Sequence, residues 1–305
     1  MPKTGTTSIQ QSFAAAREEL STNGLLYPGK SVDHADLTPA FHQRGAGHYY
    51  YTNRDIAEAE AQAIGDAALA DVQADISGFD GDIIFSTEYF FDLTPESVQR
   101  MRAFFEELGF RFRVILYIRH PVDAAISHSN QDIKMGFRTL KECVDNPNYH
   151  SNKASLEAFS KVLTREQLIV RDYEAVKDHD CVQDILEVCG YRGDRSAVPT
   201  LRSNVSLTMG GAILADAHAR WKNLIPDFPN RRTYIFKVTG PKFSLPDETL
   251  DRVRIASAPE VEWVEKNFDI ALKEGKRSGT YSSTLSDRAV LDIVAYISTL
   301  KQPPK

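Results

Sequence analysis

The sequence predicts an α/β protein built on a parallel sheet that is covered by helices. Between residues 80 and 190, short apolar segments alternate with longer segments of helix-forming residues, which is typical of parallel strands joined by helical crossovers. The chain has 305 residues, of which 42% are hydrophobic and 26% charged. This length and composition are ordinary for a globular protein with a sizeable core. Because no segment has the character of a linker, we expect a single domain over residues 1–305.

Local signals predict the elements in order along the chain. We expect helices over residues 8–20, 56–76, 95–108, 181–188, 212–221 and 289–300, another helix from residue 121, and strands over 83–85, 113–118 and 167–170. Thr94 followed by Pro95 is a helix-start signal, and Gly109 is a stop signal. Residues 21–55 are predicted to be loops, and so is the proline-rich stretch 222–260.

Charge and cysteine content exclude several classes of protein. The net charge of −6 disfavours a non-specific nucleic-acid binder. Three cysteines without C-x-x-C spacing argue against a disulfide framework and against a zinc site. The longest central apolar run, Val114–Ile118, is far shorter than a membrane helix requires, and no signal segment is evident. We therefore expect a cytoplasmic protein without a metal, a transmembrane segment or a nucleic-acid partner.

A polar segment directly before the first predicted helix points to an anion site. It consists of Lys3, Thr4, Gly5, Thr6, Thr7 and Ser8. A helix start offers unbonded N–H groups and the positive end of the helix dipole, while Gly5 permits close backbone approach and Lys3 adds a charge. The alternative is an ordinary capped helix beside a solvated lysine. The segment is not a Walker A loop, because its lysine precedes the only glycine.

A second polar segment follows the predicted strand at residues 113–118. Arg119 stands where that strand ends, at the carboxyl edge where open α/β sheets bind ligands. Ser127 follows two helical turns later in the same segment. An arginine and a hydroxyl are suitable ligands for a phosphate, although an arginine in this position is commonly part of a surface ion pair.

Taken together, the two segments resemble the phosphate-binding motifs of sulfotransferases that use 3′-phosphoadenosine 5′-phosphosulfate. The resemblance implies a three-layer α/β/α fold with a central parallel sheet, similar to that of P-loop NTPases, and adenosine 3′,5′-bisphosphate as product. It places residues 3–8 around the 5′-phosphosulfate, with Lys3 at the bridging oxygen. It also places Arg119 and Ser127 at the 3′-phosphate and Tyr173 near the adenine.

The catalytic base is predicted from the end of the strand at residues 83–85, which comes before the strand that carries the 3′-phosphate motif. Cytosolic members of the family carry K-T-H there, whereas this chain has Ser86-Thr87-Glu88. Glu88 therefore takes the position of the base, as in some carbohydrate sulfotransferases, while Ser86 replaces a lysine that contacts the sulfuryl group. A solvated carboxylate is the alternative for Glu88. His34, His42 and His48 are the rival candidates for the base.

The acceptor is expected to be a small molecule or glycan with a hydroxyl or amine. Residues 1–200 would bind the donor, and residues 30–55 and 205–285 would face the acceptor. The second region contains Arg231, Arg232 and Lys237, which suit an anionic glycan or are simply solvated. The alternatives are a kinase-like phosphotransferase and a non-catalytic nucleotide- or glycan-binding protein on the same fold.

The start of the sequence carries one further expectation. In the family that it resembles, the phosphosulfate loop follows a β-strand, whereas Met1 stands here where that strand would end. Without a strand, neighbouring strands would keep unpaired edges. We expect either that the natural protein begins further upstream or that another segment completes the sheet.

Overall fold

The protein was analysed as a computed structural model that describes residues 3–42, 50, 56–176, 180–201, 206–221, 234–276 and 279–300. The chain divides into two compact units. The first unit comprises Met1–Arg119, Ser151–Asn204 and Asn267–Ile270. The second unit comprises His120–His150, Val205–Lys266 and Ala271–Lys305. Each unit is described by itself below.

The described residues form α-helices, short strands and three 3₁₀ helices. The α-helices are α1 (Thr6–Ala15), α2 (Arg17–Thr22), α3 (Thr38–Phe41), α4 (Glu58–Ile76), α5 (Pro95–Glu107), α6 (Pro121–Met135), α7 (Leu140–Asp145), α8 (Asn152–Ser160), α9 (Tyr173–Val176), α10 (Cys181–Val188), α11 (Met209–Trp221), α12 (Asp247–Phe268) and α13 (Asp287–Leu300). The strands are β1 (Leu25–Leu26), β2 (Asp82–Ile83), β3 (Val114–Ile118), β4 (Leu168–Asp172), β5 (Lys242–Phe243) and β6 (Gly279–Thr280). The 3₁₀ helices are Ala35–Leu37, Tyr89–Asp92 and Arg195–Ala197.

The strands of the described residues form three separate parallel pairs, so the mixed α/β character is confirmed, while the central parallel sheet stays a prediction. β1 pairs with β2 and β3 with β4 in the first unit, while β5 pairs with β6 in the second. The longest pair runs from Val114 opposite Leu168 to Ile118 opposite Asp172. This register places the residue after β3 beside the residue after β4.

Most of the predicted helices are present with small shifts of their ends. α10 has the predicted bounds, and α5 begins at Pro95 with the Thr94 hydroxyl accepting a hydrogen bond from the Ser97 N–H at 3.3 Å. The helix predicted over 8–20 is divided into α1 and α2, because Ala16 leaves helical geometry with φ −108° and ψ 19°. The strand predicted over 83–85 is shorter, whereas β4 extends two residues beyond its predicted end.

Two loop predictions were wrong where the chain is described. α12 runs from Asp247 to Phe268 with Pro259 in its interior, whereas the prolines of this stretch predict loops. Proline in a helix interior costs about 3 kcal/mol, and burial of apolar residues such as Leu250 and Val253 on one side of α12 offsets this cost. The predicted loop 21–55 contains β1 and α3; its residues 43–49 and 51–55, like residues 222–233, lie outside the described part.

Each unit has its own apolar core. In the first unit, Phe13 of α1 and Val182 of α10 are fully buried in one cluster with Leu25 of β1 and Tyr117 of β3. In the second unit, a separate cluster joins α6, α11 and α12. The first cluster is the one that matters for the site, because it holds the start of α1 against β3 and α10. In the described part of the chain, no helix has the length and apolar character to cross a bilayer.

Candidate functional site

The segment Lys3–Gly5 forms a tight turn that leads into α1. Lys3 and Gly5 both have left-handed backbone geometry, with φ of 65° and 79°. Gly5 is the N-cap residue, and no side chain caps the helix. The N–H groups of Ser8 and Ile9 bond back to the Gly5 carbonyl at 3.0 and 3.2 Å. The N–H groups of the residues before Ser8 therefore precede the first intrahelical hydrogen bonds. They belong to the end of the helix that attracts anions.

The side chains of this segment differ in exposure. Thr4 is buried, with 1% of its surface exposed. Thr6, Thr7 and Ser8 at the start of α1 are half-buried, as is Lys3. The hydroxyls of α1 rather than that of Thr4 are therefore the ones that a ligand at this helix end would meet.

Gly5 packs closely against the residues that begin α9 and α10. A β-carbon at this position would lie 3.1 Å from Cε2 of Tyr173 and 3.5 Å from Sγ of Cys181. The first of these distances is tighter than ordinary van der Waals contact. Glycine is thus required here because the backbone angle is left-handed and because a side chain would have too little space. Tyr173, predicted from the family resemblance alone, lies against the turn.

Arg119 lies beside the same turn. Its Nη1 donates to the Lys3 carbonyl at 3.4 Å, and its guanidinium carbon lies 5.2 Å from the centre of the Tyr173 ring. The Asn152 side chain donates to the Arg119 carbonyl at 2.9 Å. The structure therefore brings together three predicted site residues from distant parts of the first unit.

Glu174 is a site residue that the sequence reasoning missed. Its carboxylate accepts a hydrogen bond from Arg119 Nε at 2.8 Å, and its side chain is 5% exposed. No sequence signal pointed to it: with Ile118 opposite Asp172, Arg119 comes beside the start of α9, whose second residue is Glu174. The alternative of an ion pair for Arg119 is thus realised, but as a buried pair at the strand ends.

Glu88, the predicted base, is half-buried and stands at the N-cap position of the 3₁₀ helix Tyr89–Asp92, where its side chain makes no capping hydrogen bond. Burial raises the pKa of its carboxyl above the ordinary value of 4.5, the charge of Lys3 counteracts this effect, and Asp33 adds to it. The influence of Lys3 shows that the two groups share one electrostatic environment. A carboxylate with a raised pKa is suited to accept a proton near neutral pH.

His34 has a structural role. Its Nδ1 accepts from the Ser86 N–H at 3.0 Å, and its Nε2 faces the Pro28 carbonyl at 3.0 Å, so the neutral ring with the proton on Nε2 satisfies both. Burial lowers its pKa, which favours this neutral form. His42 is also buried, at the end of α3. His48 lies outside the described residues.

The remaining predicted residues belong to the second unit or are not described. Ser127 lies in α6 of the second unit and is half-buried; its place beside Arg119 stays a prediction. Lys237 also belongs to the second unit, while Arg231 and Arg232 lie outside the described residues. Among the residues that the structure describes, no group of three or more His, Cys, Asp or Glu side chains is arranged to hold a metal ion.

Comparisons with protein-family models, with curated proteins and with solved structures find no match for this chain. Support for a function therefore comes from the arrangement of the residues in the first unit. That arrangement joins a helix start, a lysine, a buried arginine–glutamate pair and a carboxylate with a raised pKa.

Proposed function

We propose that the protein is a sulfotransferase that moves a sulfuryl group from 3′-phosphoadenosine 5′-phosphosulfate to a hydroxyl or amine of a carbohydrate or small metabolite. The proposal includes a central parallel sheet between two layers of helices. The contact between Arg119 and the Lys3 carbonyl carries it, because it joins the two segments that resemble the phosphate-binding motifs. The contact brings Arg119 to the turn that contains Lys3, 116 positions earlier in the chain.

The chemistry is an in-line displacement at sulfur. The acceptor oxygen or nitrogen forms a bond to sulfur while the bond from sulfur to the bridging oxygen breaks, and that electron pair stays on the 5′-phosphate. Positioning and charge stabilisation supply most of the rate enhancement in such transfers. Lys3 would neutralise the charge on the bridging oxygen, and the N–H groups at the start of α1 would bind the phosphate. Glu88 would accept the proton that the acceptor loses.

The pair with Glu174 fixes the orientation of the Arg119 guanidinium. Glu174 and the Tyr173 ring hold the guanidinium from two directions, so its side chain is ordered before the donor binds. Ordering in advance lowers the entropy cost of binding. Ser127 would add a hydroxyl to the 3′-phosphate, as the family resemblance implies.

Ligand-induced thermal stabilisation tests the proposal. Adenosine 3′,5′-bisphosphate should raise the melting temperature of the full chain, since binding to the folded state at about 100 times Kd adds about 2.7 kcal/mol. ADP with magnesium should have no comparable effect. Stabilisation by ADP with magnesium alone would favour the kinase-like alternative and contradict the proposal.

Three variants separate binding from catalysis. Lys3→Ala should remove most of the stabilisation, whereas Lys30→Ala, at an exposed lysine, should retain it. Glu88→Gln should still bind adenosine 3′,5′-bisphosphate but lose transfer of labelled sulfate from the donor to a panel of sugars and metabolites. If the unchanged chain binds adenosine 3′,5′-bisphosphate but transfers sulfate to none of the acceptors, the non-catalytic alternative is favoured. Full activity of Glu88→Gln would exclude Glu88 as the base.

A further inference from the structure

The backbone between β2 and Glu88 is held at Ser86 by groups from two other segments of the first unit. The Ser86 N–H donates to Nδ1 of His34 at 3.0 Å, and the Ser86 carbonyl accepts from the His34 N–H at 3.0 Å. The same carbonyl accepts from Nε2 of Gln10 at 3.2 Å. Three hydrogen bonds therefore fix the backbone of a residue that stands two positions before the predicted base.

The His34 ring fits Ser86 in one tautomer. With the proton on Nε2, the ring accepts from the Ser86 N–H and donates to the Pro28 carbonyl, which lies 3.0 Å from Nε2. The other tautomer could donate from Nδ1 to the Ser86 carbonyl at 3.4 Å, but it would turn a proton toward the Ser86 N–H and a lone pair toward the Pro28 carbonyl. The bond to Pro28 thus makes Nδ1 an acceptor for Ser86.

Aromatic packing holds the ring of His34 in place. Tyr27 and Phe85 both contact it in edge-to-face geometry, with ring centres 4.6 and 5.2 Å from that of His34. The side chain is buried. Because the ring is confined on two sides, the lone pair of Nδ1 has a fixed direction toward the Ser86 N–H.

Gln10 links the same part of the backbone to α1. Its side chain is buried, and α1 is the helix whose start forms the candidate anion site. The bond from Gln10 to the Ser86 carbonyl therefore connects the segment of Glu88 with the helix that would bind the 5′-phosphate. Loss of this bond would allow the two to move relative to each other.

The segment that follows Ser86 has little freedom of its own. The Tyr89 N–H donates to Oγ1 of Thr87 at 3.2 Å, and the Phe91 N–H donates to the Glu88 carbonyl at 3.4 Å. Glu88 has helical backbone angles, with φ −75° and ψ −22°. The backbone position of Glu88 is therefore determined largely by that of Ser86.

We propose that His34 and Gln10 are positioning residues, which hold the backbone at Ser86 and thereby place the Glu88 carboxylate in the candidate site. The influence of the Lys3 charge on Glu88 supports this placement. A displacement of about 1 Å can lower a reaction rate roughly 100-fold, so the hold on Ser86 determines how well Glu88 can accept a proton. This inference rests on the proposed function for the role of Glu88 as base, but the placement of Glu88 can be measured without any transfer reaction.

The alternative is that these bonds only stabilise the fold. Their loss would then lower the melting temperature and leave the surroundings of Glu88 unchanged. The two roles differ in the pKa of the Glu88 carboxyl, which burial raises. If Ser86 is released, Glu88 gains exposure, and its pKa falls toward the ordinary value of 4.5.

Two substitutions at His34 separate the roles of the ring nitrogens. The amide oxygen of His34→Asn can take the place of Nδ1 and accept from Ser86, whereas the amide of His34→Gln reaches only the place of Nε2 and the Pro28 carbonyl. NMR titration should give a Glu88 pKa close to that of the unchanged chain for His34→Asn and a lower pKa for His34→Gln. The Ser86 amide should exchange at least about tenfold faster in His34→Gln alone.

Gln10→Met and Tyr27→Phe complete the set of variants. Gln10→Met keeps a long side chain and removes the donor to the Ser86 carbonyl, so it should also lower the Glu88 pKa, and it decides the matter if neither His34 variant folds. Tyr27→Phe is the control, because it removes a hydrogen bond from the hydroxyl to a backbone carbonyl at 2.7 Å but keeps the ring beside His34. It should lower the melting temperature without changing the Glu88 pKa.

Sulfate transfer provides a second readout under the proposed function. His34→Gln should lower kcat by about tenfold or more with little change in KM, and His34→Asn should retain most of kcat. If the unchanged chain transfers no sulfate, the proposed function fails, while the NMR titration still decides whether His34 and Gln10 position Glu88.

Three outcomes would overturn the inference. The first is a Glu88 pKa that is unchanged in both His34→Gln and Gln10→Met. The second is a pKa that falls equally in His34→Asn and His34→Gln, since the bond from Ser86 to Nδ1 would then be irrelevant to it. The third is a pKa that falls as far in Tyr27→Phe as in His34→Gln, because any loss of packing would then suffice.

Discussion

The guanidinium of Arg119 donates a hydrogen bond from Nε to Oε1 of Glu174 at 2.8 Å, with side chains that are 18% and 5% exposed. The two residues follow neighbouring parallel strands whose last residues, Ile118 and Asp172, stand opposite each other. The register brings Arg119 beside Tyr173, and the first turn of α9 then brings the Glu174 carboxylate to the guanidinium. It also settles where the positive charge of the candidate site lies, because Glu174 ties it to the end of β4.

Glu174→Gln should destabilise the protein, because it leaves the Arg119 charge buried without its carboxylate. Breaking a buried pair costs about 3–5 kcal/mol, and partial exposure of Arg119 lowers our expectation to about 2–4 kcal/mol in the free energy of unfolding measured with urea. Glu106→Gln is the control, since its pair with Arg102 is an exposed contact within α5 and should cost at most about 1 kcal/mol. Under the proposed function, adenosine 3′,5′-bisphosphate should restore part of the lost stability. Equal costs for the two variants would refute the buried character of the pair.

Gly5→Ala should disturb both the backbone and the packing of the turn. The left-handed angle of 79° costs an alanine about 1–2 kcal/mol, and the new β-carbon would press on the Tyr173 ring. Gly24→Ala is a matched control: it has the same φ of 79° but nothing within 4 Å of the added carbon. Urea unfolding should show a larger loss for Gly5→Ala, and the difference between the two variants measures the contact with Tyr173. A loss no greater than that of Gly24→Ala would mean that the ring moves aside without cost.

Glu88→Gln should stabilise the protein at neutral pH and leave its stability unchanged at low pH. Burial raises the pKa of Glu88 in the folded state, so the folded protein holds this proton more tightly than the unfolded chain. The stability that Glu88 contributes is therefore complete below its ordinary pKa and declines as pH rises through the raised value. Glutamine keeps the neutral form at every pH. Melting temperatures of both proteins between pH 4 and pH 8, compared at matched ionic strength, provide the measurement; a constant difference across this range would contradict the raised pKa.

Asp33→Asn should shift the pH dependence of sulfate transfer, if the proposed function holds. The carboxylate of Asp33 raises the pKa of Glu88, so its removal lowers that pKa and keeps the base ionised in more acidic solution. The acidic limb of the kcat/KM profile should move to lower pH. Asp92→Asn, which replaces an exposed carboxylate that is not among the charges acting on Glu88, should leave the limb in place. A limb that moves upward or stays fixed in Asp33→Asn would show that another group titrates.

Local signals predicted much of the fold. The cap at Thr94, the apolar run at residues 114–118 and the helix at 181–188 each depend on neighbouring residues only, and each was found within a residue or two. α12 could not be predicted in this way. Its Pro259 is an unfavourable local signal, and burial against the second unit's core outweighs it.

The same distinction between local signals and tertiary structure applies to the candidate site. The sequence by itself predicted an anion site at residues 3–8 and at Arg119, because that prediction needs only residue type and position beside a helix or strand end. Tertiary structure decided that the two lie together, that Glu174 neutralises Arg119, and that Gly5 has no space for a side chain. It also decided that His34 is bonded at both nitrogens. These relationships join residues far apart in the chain, and they depend on strand register and packing, which no local pattern of residues specifies.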